Sequence, residues 1–148
     1  MSDPVPSSGA WSDGAHRLAV RVYYEDTDFT GVVYYANYLK FFERGRTDAL
    51  RSAGVSHAEL LDDDDQTGFA VREVRVKYHR PARIDDALVV ETRVTAAKGA
   101  RVTFAQTIRC GGALVAEADV EAACITLDGR PKRLPQAVKD VLQRAAGG

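Results

Sequence analysis

The side chains best able to do chemistry crowd into one short stretch, Glu25-Asp26-Thr27-Asp28, with Gly31 close behind. A carboxylate in such a loop can attack as a nucleophile or act as a base that activates water. Taken by themselves, the same residues also read as an acidic loop whose aspartates bond to nearby backbone, because Asp and Thr are ordinary turn formers. From about Ala36 the pattern turns helical. The first N–H groups of a helix lack intrahelical acceptors and carry roughly half a positive charge, so Tyr35 and its neighbours can present donors to an oxygen that becomes anionic.

Other reactive residue types lack a supporting pattern. His57 and His79 stand apart from cysteine or histidine at ligand spacing, and His16 borders the N-terminal segment, so all three read as surface or structural groups and no metal site is expected. Cys110 and Cys124 lie in separate apolar runs and read as buried reduced thiols. The run Asp62 to Asp65 reads as a solvated linker, since hard cations are held by spaced carboxylates around a glycine.

The elements that must position the acid loop follow from periodicity. Residues 1–16 mix Pro4, Pro6, Ser7, Ser8, Gly9, Asp13 and Gly14 and are expected to form a disordered tail, leaving 17–148 as one domain. Leu18 to Tyr24 predicts a strand that ends at the acid loop. A helix is predicted over 36–53, with Tyr38, Leu39, Phe42, Ala49, Leu50 and Ala53 as its apolar side and Gly54 as its C-terminal cap. Gly45 inside it implies a close approach by a neighbouring backbone. After Gly68 the period becomes two through four strands joined at 83–86, Lys98-Gly99 and Gly111-Gly112, which predicts an antiparallel meander. Pro135 then opens a short helix with Val138, Val141 and Leu142 as its apolar side. The fold class is α+β, an antiparallel sheet wrapped around one long helix. Such a sheet leaves an exposed edge, so a homo-oligomer is expected.

Composition narrows the function classes. The 148 residues, 45% hydrophobic and 28% charged, suit a single globular domain. Twenty basic against 21 acidic residues leave a formal charge of -1, which argues against a nucleic-acid partner or an anionic membrane surface. No basic region precedes an apolar run at the N-terminus and no stretch approaches a membrane span, so the cytoplasm is the expected compartment and no membrane insertion is expected.

Arg21 to Arg51 reads RVYYEDTDFTGVVYYANYLKFFERGRTDALR. This stretch resembles the acyl-CoA thioesterases of the hot-dog superfamily, especially the YbgC-like branch associated with the Tol-Pal system. The resemblance continues through VKYHRPARIDDAL (Val76 to Leu88), GARVTF (Gly99 to Phe104) and LDGRPKRLP (Leu127 to Pro135), and so covers most of the chain after residue 17. Its core is an aspartate three residues before Gly-Val-Val, then an aromatic or histidine followed by Ala-Asn-Tyr. The resemblance implies the hot-dog fold, hydrolysis of an acyl-CoA to free acid and CoA, and Asp28 as the general base or nucleophile.

It further implies that the amide at Tyr35 contacts the oxyanion, with Val33 and Ala36 as substrate contacts and Asn37 and Tyr38 fixing the helix start. Tyr35 stands where the YbgC-like branch usually has histidine and is similar instead to the hydroxybenzoyl-CoA branch. Tyrosine there can donate a hydrogen bond, line the pocket or pack in the core, but it is a poor base. The phosphates of CoA call for basic residues at the pocket mouth: Arg80, Arg83, Lys98, Arg101, Arg130, Lys132 and Arg133 are the candidates. Coenzyme A is then part of the substrate and no separate cofactor is expected. The oligomer implied is a dimer or a dimer of dimers (a homotetramer), and a Tol-Pal-linked role follows from the resemblance alone. The alternative from another class is an acyl-CoA-binding protein without catalysis, acting as a sensor or complex partner. A dehydratase would want a histidine beside the carboxylate, and the helix start offers none.

Overall fold

The computed structural model describes residues 2–62 and 66–147. Its strands are β1 (Ala10–Ser12), β2 (Ala15–Arg21), β3 (Gly68–Tyr78), β4 (Ala87–Lys98), β5 (Arg101–Cys110) and β6 (Ala113–Ile125), and its helices are α1 (Tyr38–Ser52), α2 (His57–Asp62) and α3 (Gln136–Gly147). All six strands join one antiparallel sheet in the order β1-β2-β4-β5-β6-β3. The long helix packs Phe41, Phe42, Gly45, Ala49 and Leu50 against it, over a core built from Leu88, Val90, Phe104, Ile108, Val115 and Val120.

The tight turns behave as their residues dictate. Gly111 and Gly112 both take left-handed φ, 57° and 84°, and close β5 onto β6. Gly54 takes φ 98° just past α1, the C-terminal cap expected of it. Gly45 is needed for packing: a Cβ built there would stand 2.6 Å from Val90 Cγ1 and 3.0 Å from Thr92 Oγ1. The close neighbours are therefore side chains of β4 and, at 3.2 Å, Gln106 of β5, where a backbone approach was expected.

The predicted meander is corrected in one respect. β3 does not lie beside β4; it pairs with β6 through Val74↔Val120, and β2 takes the place next to β4 through Leu18↔Val90. The connecting segment 79–86 does turn tightly at 83–86, where Asp86 N–H donates to Arg83 O at 3.1 Å, but that turn does not close β3 onto β4. The segment is instead bonded to the loop before α1, with Val33 N–H donating to Ala82 O at 2.9 Å and Ile84 N–H to Gly31 O at 3.0 Å. The first strand also ends earlier than predicted, at Arg21, because Tyr24–Asp26 folds into a 3-10 turn whose Asp26 carboxylate accepts the Tyr23 N–H at 2.8 Å.

The expected tail is corrected as well, since residues 10–16 form a hairpin. Asp13 and Gly14, at φ 53° and 74°, make the two-residue turn that an Asp-Gly pair favours. The hairpin is clasped to the second half of α1. Trp11 Nε1–H donates to Ala49 O at 3.0 Å, Gly9 N–H donates to Asp48 Oδ2 at 2.8 Å, and the fully buried His16 places Nε2 2.9 Å from the same oxygen. Composition alone suggested disorder; the hairpin is repaid by burial of His16 and Ala15 against the helix. Of the acidic run, Asp62 ends α2 and residues 63–65 lie outside the described residues.

Candidate active site

Asp28 sits in a loop that folds back on itself. Thr27 pairs with Val33, Asp28 N–H donates to Val32 O at 2.9 Å, and Gly31, at φ 83°, turns the chain. One carboxylate oxygen, Oδ1, accepts both the Thr30 N–H at 2.8 Å and the Thr30 hydroxyl at 2.5 Å. Those two bonds hold the Asp28 carboxyl below the usual carboxylate range, so it is ionised at neutral pH and competent as base or nucleophile. The Val32 backbone adds a smaller contribution in the same direction, and the half-buried side chain stays accessible to substrate or water. A neighbouring carboxylate does not raise this group, as closely approaching acids would have done.

Asp26 has the structural role expected of it. Only 5% exposed, it caps the 3-10 turn with its side chain, and its carbonyl accepts Tyr34 N–H at 3.0 Å and Asn37 Nδ2–H at 2.9 Å. Asn37 thus ties the acid loop to the helix start. Tyr38 ties the helix start to the 79–86 segment: its buried hydroxyl accepts Ala82 N–H at 2.9 Å, and burial pushes its pKa up, so it remains a neutral phenol.

The chain enters α1 through a second 3-10 turn, Tyr35–Asn37. Asn37 N–H donates to Tyr34 O and Tyr38 N–H to Tyr35 O, which leaves the amides of Tyr35 and Ala36 as the two without an acceptor inside the turn. They point away from the helix at its positive end. The Tyr35 ring is 62% exposed, so core packing is not its role. It packs tilted on Tyr34 at 5.0 Å and edge-on against Tyr78 at 6.3 Å, while its carbonyl accepts the Tyr78 hydroxyl at 3.2 Å.

Val33, Tyr35, Tyr38, Tyr78, His79, Arg80 and Pro81 line a cleft of about 330 Å³ at this helix start. Tyr78 and His79 were not read as site residues from sequence, although VKYHRPAR contains them; their place depends on β3 ending beside the turn. His79 has no cysteine or histidine partner, as expected, and its Nε2 lies 3.2 Å from Glu117 Oε2. Asp28 lines neither this cleft nor a larger groove of about 660 Å³ between β2 and α1, which also lacks Tyr35 and carries charges of both signs; the acid loop reaches the cleft through Val33, the bridge partner of Thr27.

The basic candidates separate. Arg83 bridges to Val32 and stands beside the acid loop, and Arg80 lines the cleft. Lys98 ends β4 and its partner Arg101 opens β5; that end of β4, at about 3.3 Å per residue, is roughly 35 Å along the strand from the Arg83 end, so one chain does not bring them to Asp28. Arg101 is paired with Glu121 at 3.3 Å, Arg130 with Asp128 at 3.0 Å, and Lys132 Nζ donates to Thr67 at 2.6 Å. No helix among the described residues is long and apolar enough to cross a membrane.

Comparison with known proteins places this geometry in context. A family model described as the thioesterase-like superfamily matches residues 22–142. The acyl-CoA thioesterase YbgC of Haemophilus influenzae is 41% identical over 128 residues, 86% of this chain and 93% of that protein. Among solved structures, a probable thioesterase from Bartonella henselae superposes with a TM-score of 0.79 at 42% identity, covering 82% of this chain and 99% of its own. A 1,4-dihydroxy-2-naphthoyl-CoA thioesterase from Synechocystis superposes with a TM-score of 0.78 at 26% identity, covering 90% and 96%.

Proposed function

The chain belongs to the thioesterase-like superfamily with its hot-dog fold, and we propose that it hydrolyses acyl-CoA to free acid and CoA using Asp28 and the amides that open the Tyr35–Asn37 turn. That it is a thioester hydrolase rests on curated relatives at 41% identity over most of both chains. The observation that carries the residue assignment is Asp28 itself: an accessible, ionised carboxylate oriented by Thr30, seven positions before two amides without an acceptor inside their turn.

Two routes fit this arrangement. The Asp28 carboxylate can attack the thioester carbonyl, forming a C–O bond as the C–S bond breaks; CoA leaves as thiolate and water hydrolyses the resulting anhydride. Alternatively, Asp28 takes a proton from water, the hydroxide attacks, the C–S bond breaks and the proton passes to the departing sulfur. Either way the carbonyl oxygen becomes anionic and needs donors. The Tyr35 and Ala36 amides supply them, and loss of one such donor is worth about 100- to 1000-fold in rate. Val33 would line the acyl side of the cleft and Arg83 the mouth that receives CoA phosphates.

The test is CoA release from a panel of short-chain, long-chain and aromatic thioesters, comparing native protein with Asp28→Asn. A loss of at least about 100-fold is expected; retained turnover removes Asp28 from the mechanism, and saturable binding without turnover in the native protein would mark a binding protein.

The proposal includes a homo-oligomer. β3 is an edge strand of 11 residues whose stretch from Val71 to Arg75 is exposed, with Val71 and Val74 among the exposed apolar side chains. A second copy pairing along it would cover that edge, and further copies could bring Lys98 and Arg101 toward a neighbour's cleft. Light scattering should give at least twice 16.1 kDa; a monomeric mass refutes the oligomer. A cytoplasmic, Tol-Pal-linked role completes the proposal by resemblance, and its test is co-fractionation with the soluble fraction and with that system.

A further inference from the structure

We infer that Tyr78 is a positioning residue for this reaction: its hydroxyl, donated to the Tyr35 carbonyl, orients and polarises the Tyr35–Ala36 peptide so that the Ala36 N–H serves as an oxyanion donor. The inference rests on the reading of the turn as the oxyanion site and assigns it a second amide and the side chain that tunes it.

A peptide unit joins the carbonyl of one residue to the N–H of the next, so a bond to Tyr35 O acts on the amide of Ala36 and not on that of Tyr35. This carbonyl has two lone pairs and two donors: Tyr38 N–H from within the helix start and the Tyr78 O–H at 3.2 Å from outside it. Donation to a carbonyl draws electron density toward oxygen and makes the N–H of the same unit a stronger donor, the polarisation that hydrogen-bond chains show. The Ala36 N–H has no acceptor inside the turn, so the gain is delivered to whatever oxygen docks there.

The support is built from rigid parts. Tyr78 is the last residue of β3, paired with Ala116 of β6, and the next residue is pinned by His79 N–H donating to Val115 O at 2.8 Å. Its ring packs edge-on against both Tyr35, at 6.3 Å, and Tyr38, at 5.5 Å. Burial raises its pKa, so the phenol keeps its proton well into alkaline solution and remains a donor. The sheet thus holds the hydroxyl while the turn leans on it, and Asp28, on the other loop, takes no part in this contact.

Tyr78→Phe keeps the ring and removes only the donor, which separates polarisation from packing. In the full chain we expect kcat to fall about 3- to 10-fold, the scale of one neutral hydrogen bond, with KM changed less than about twofold. The amide proton resonance of Ala36 should move upfield in the same variant without substrate, a change that loss of packing elsewhere would not produce. Tyr78→Leu, lacking ring and hydroxyl, should lose at least as much. If Tyr78→Phe turns over within about twofold of native, or loses activity with the Ala36 resonance unmoved, the inference is wrong. A native-like Asp28→Asn would instead overturn the proposed function, so the two failures are distinguishable.

Discussion

Gly45→Ala should destabilise this protein, although alanine is the better helix former. In an exposed helix the exchange would gain about 1 kcal/mol. Here the added methyl would sit 2.6 Å from Val90 Cγ1, 3.0 Å from Thr92 Oγ1 and 3.2 Å from Gln106 Nε2, against an ordinary carbon contact of about 3.5–4.0 Å. None of the three can step aside. Val90 and Thr92 are fully buried, and Gln106 is held by bonds of 2.9 Å from Nε2 to Phe42 O and to Thr92 Oγ1 and of 3.0 Å from Arg46 to Oε1. Moving α1 off the sheet or breaking the Gln106 network carries the usual overpacking penalty of about 1–3 kcal/mol, with a further 1–3 kcal/mol where a buried partner is orphaned. Set against the propensity gain, the net loss is about 1–3 kcal/mol, or roughly 2–4 °C in Tm per kcal/mol. Urea unfolding at constant m would measure it, with Gly147→Ala as the reference, since a Cβ at that helix position meets nothing within 4 Å. A Gly45→Ala variant as stable as native or more so would refute the packing argument.

Three other outcomes are expected. Thr30→Val removes the hydroxyl that contributes most to lowering the Asp28 pKa, so the acid limb of the kcat/KM profile should move to higher pH; an unmoved limb means that Asp28 is not the titrating base. His16 has its pKa lowered by burial, only partly offset by Asp48, so the unfolded chain takes up a proton before the folded one. Its contribution is therefore intact above about pH 6.5 and is lost as pH falls below that value, with a slope that His16→Gln should reduce; equal slopes in unfolding series from pH 8 to 5 would contradict this. Val74→Lys places a like charge from each copy on the exposed edge strand and should lower the mass by light scattering to that of a monomer, whereas an unchanged oligomer would show that β3 is not the interface.

Local chemistry and periodicity determined much of this protein from sequence alone. Gly54 ends α1 and Gly111-Gly112 closes β5 onto β6 because those backbones need φ values that glycine adopts without strain. The helix, the four later strands and the acid loop follow from patterns of 3.6 and 2, and the residues of the Asp28–Tyr35 segment carried the family with them. Pairing order, by contrast, was decided only in three dimensions. Alternation tells which face of a strand is apolar but not which edge it pairs through, so β3 could be set beside β6 only by the packing of the whole sheet.

That placement brings Tyr78 to the Tyr35 carbonyl and carries Lys98 and Arg101 away from the cleft within one chain. The hairpin of residues 10–16 was hidden for a related reason. Its stability comes from His16, Gly9 and Trp11 meeting Asp48 and Ala49, partners more than 30 residues away, and no local composition records a contact of that range.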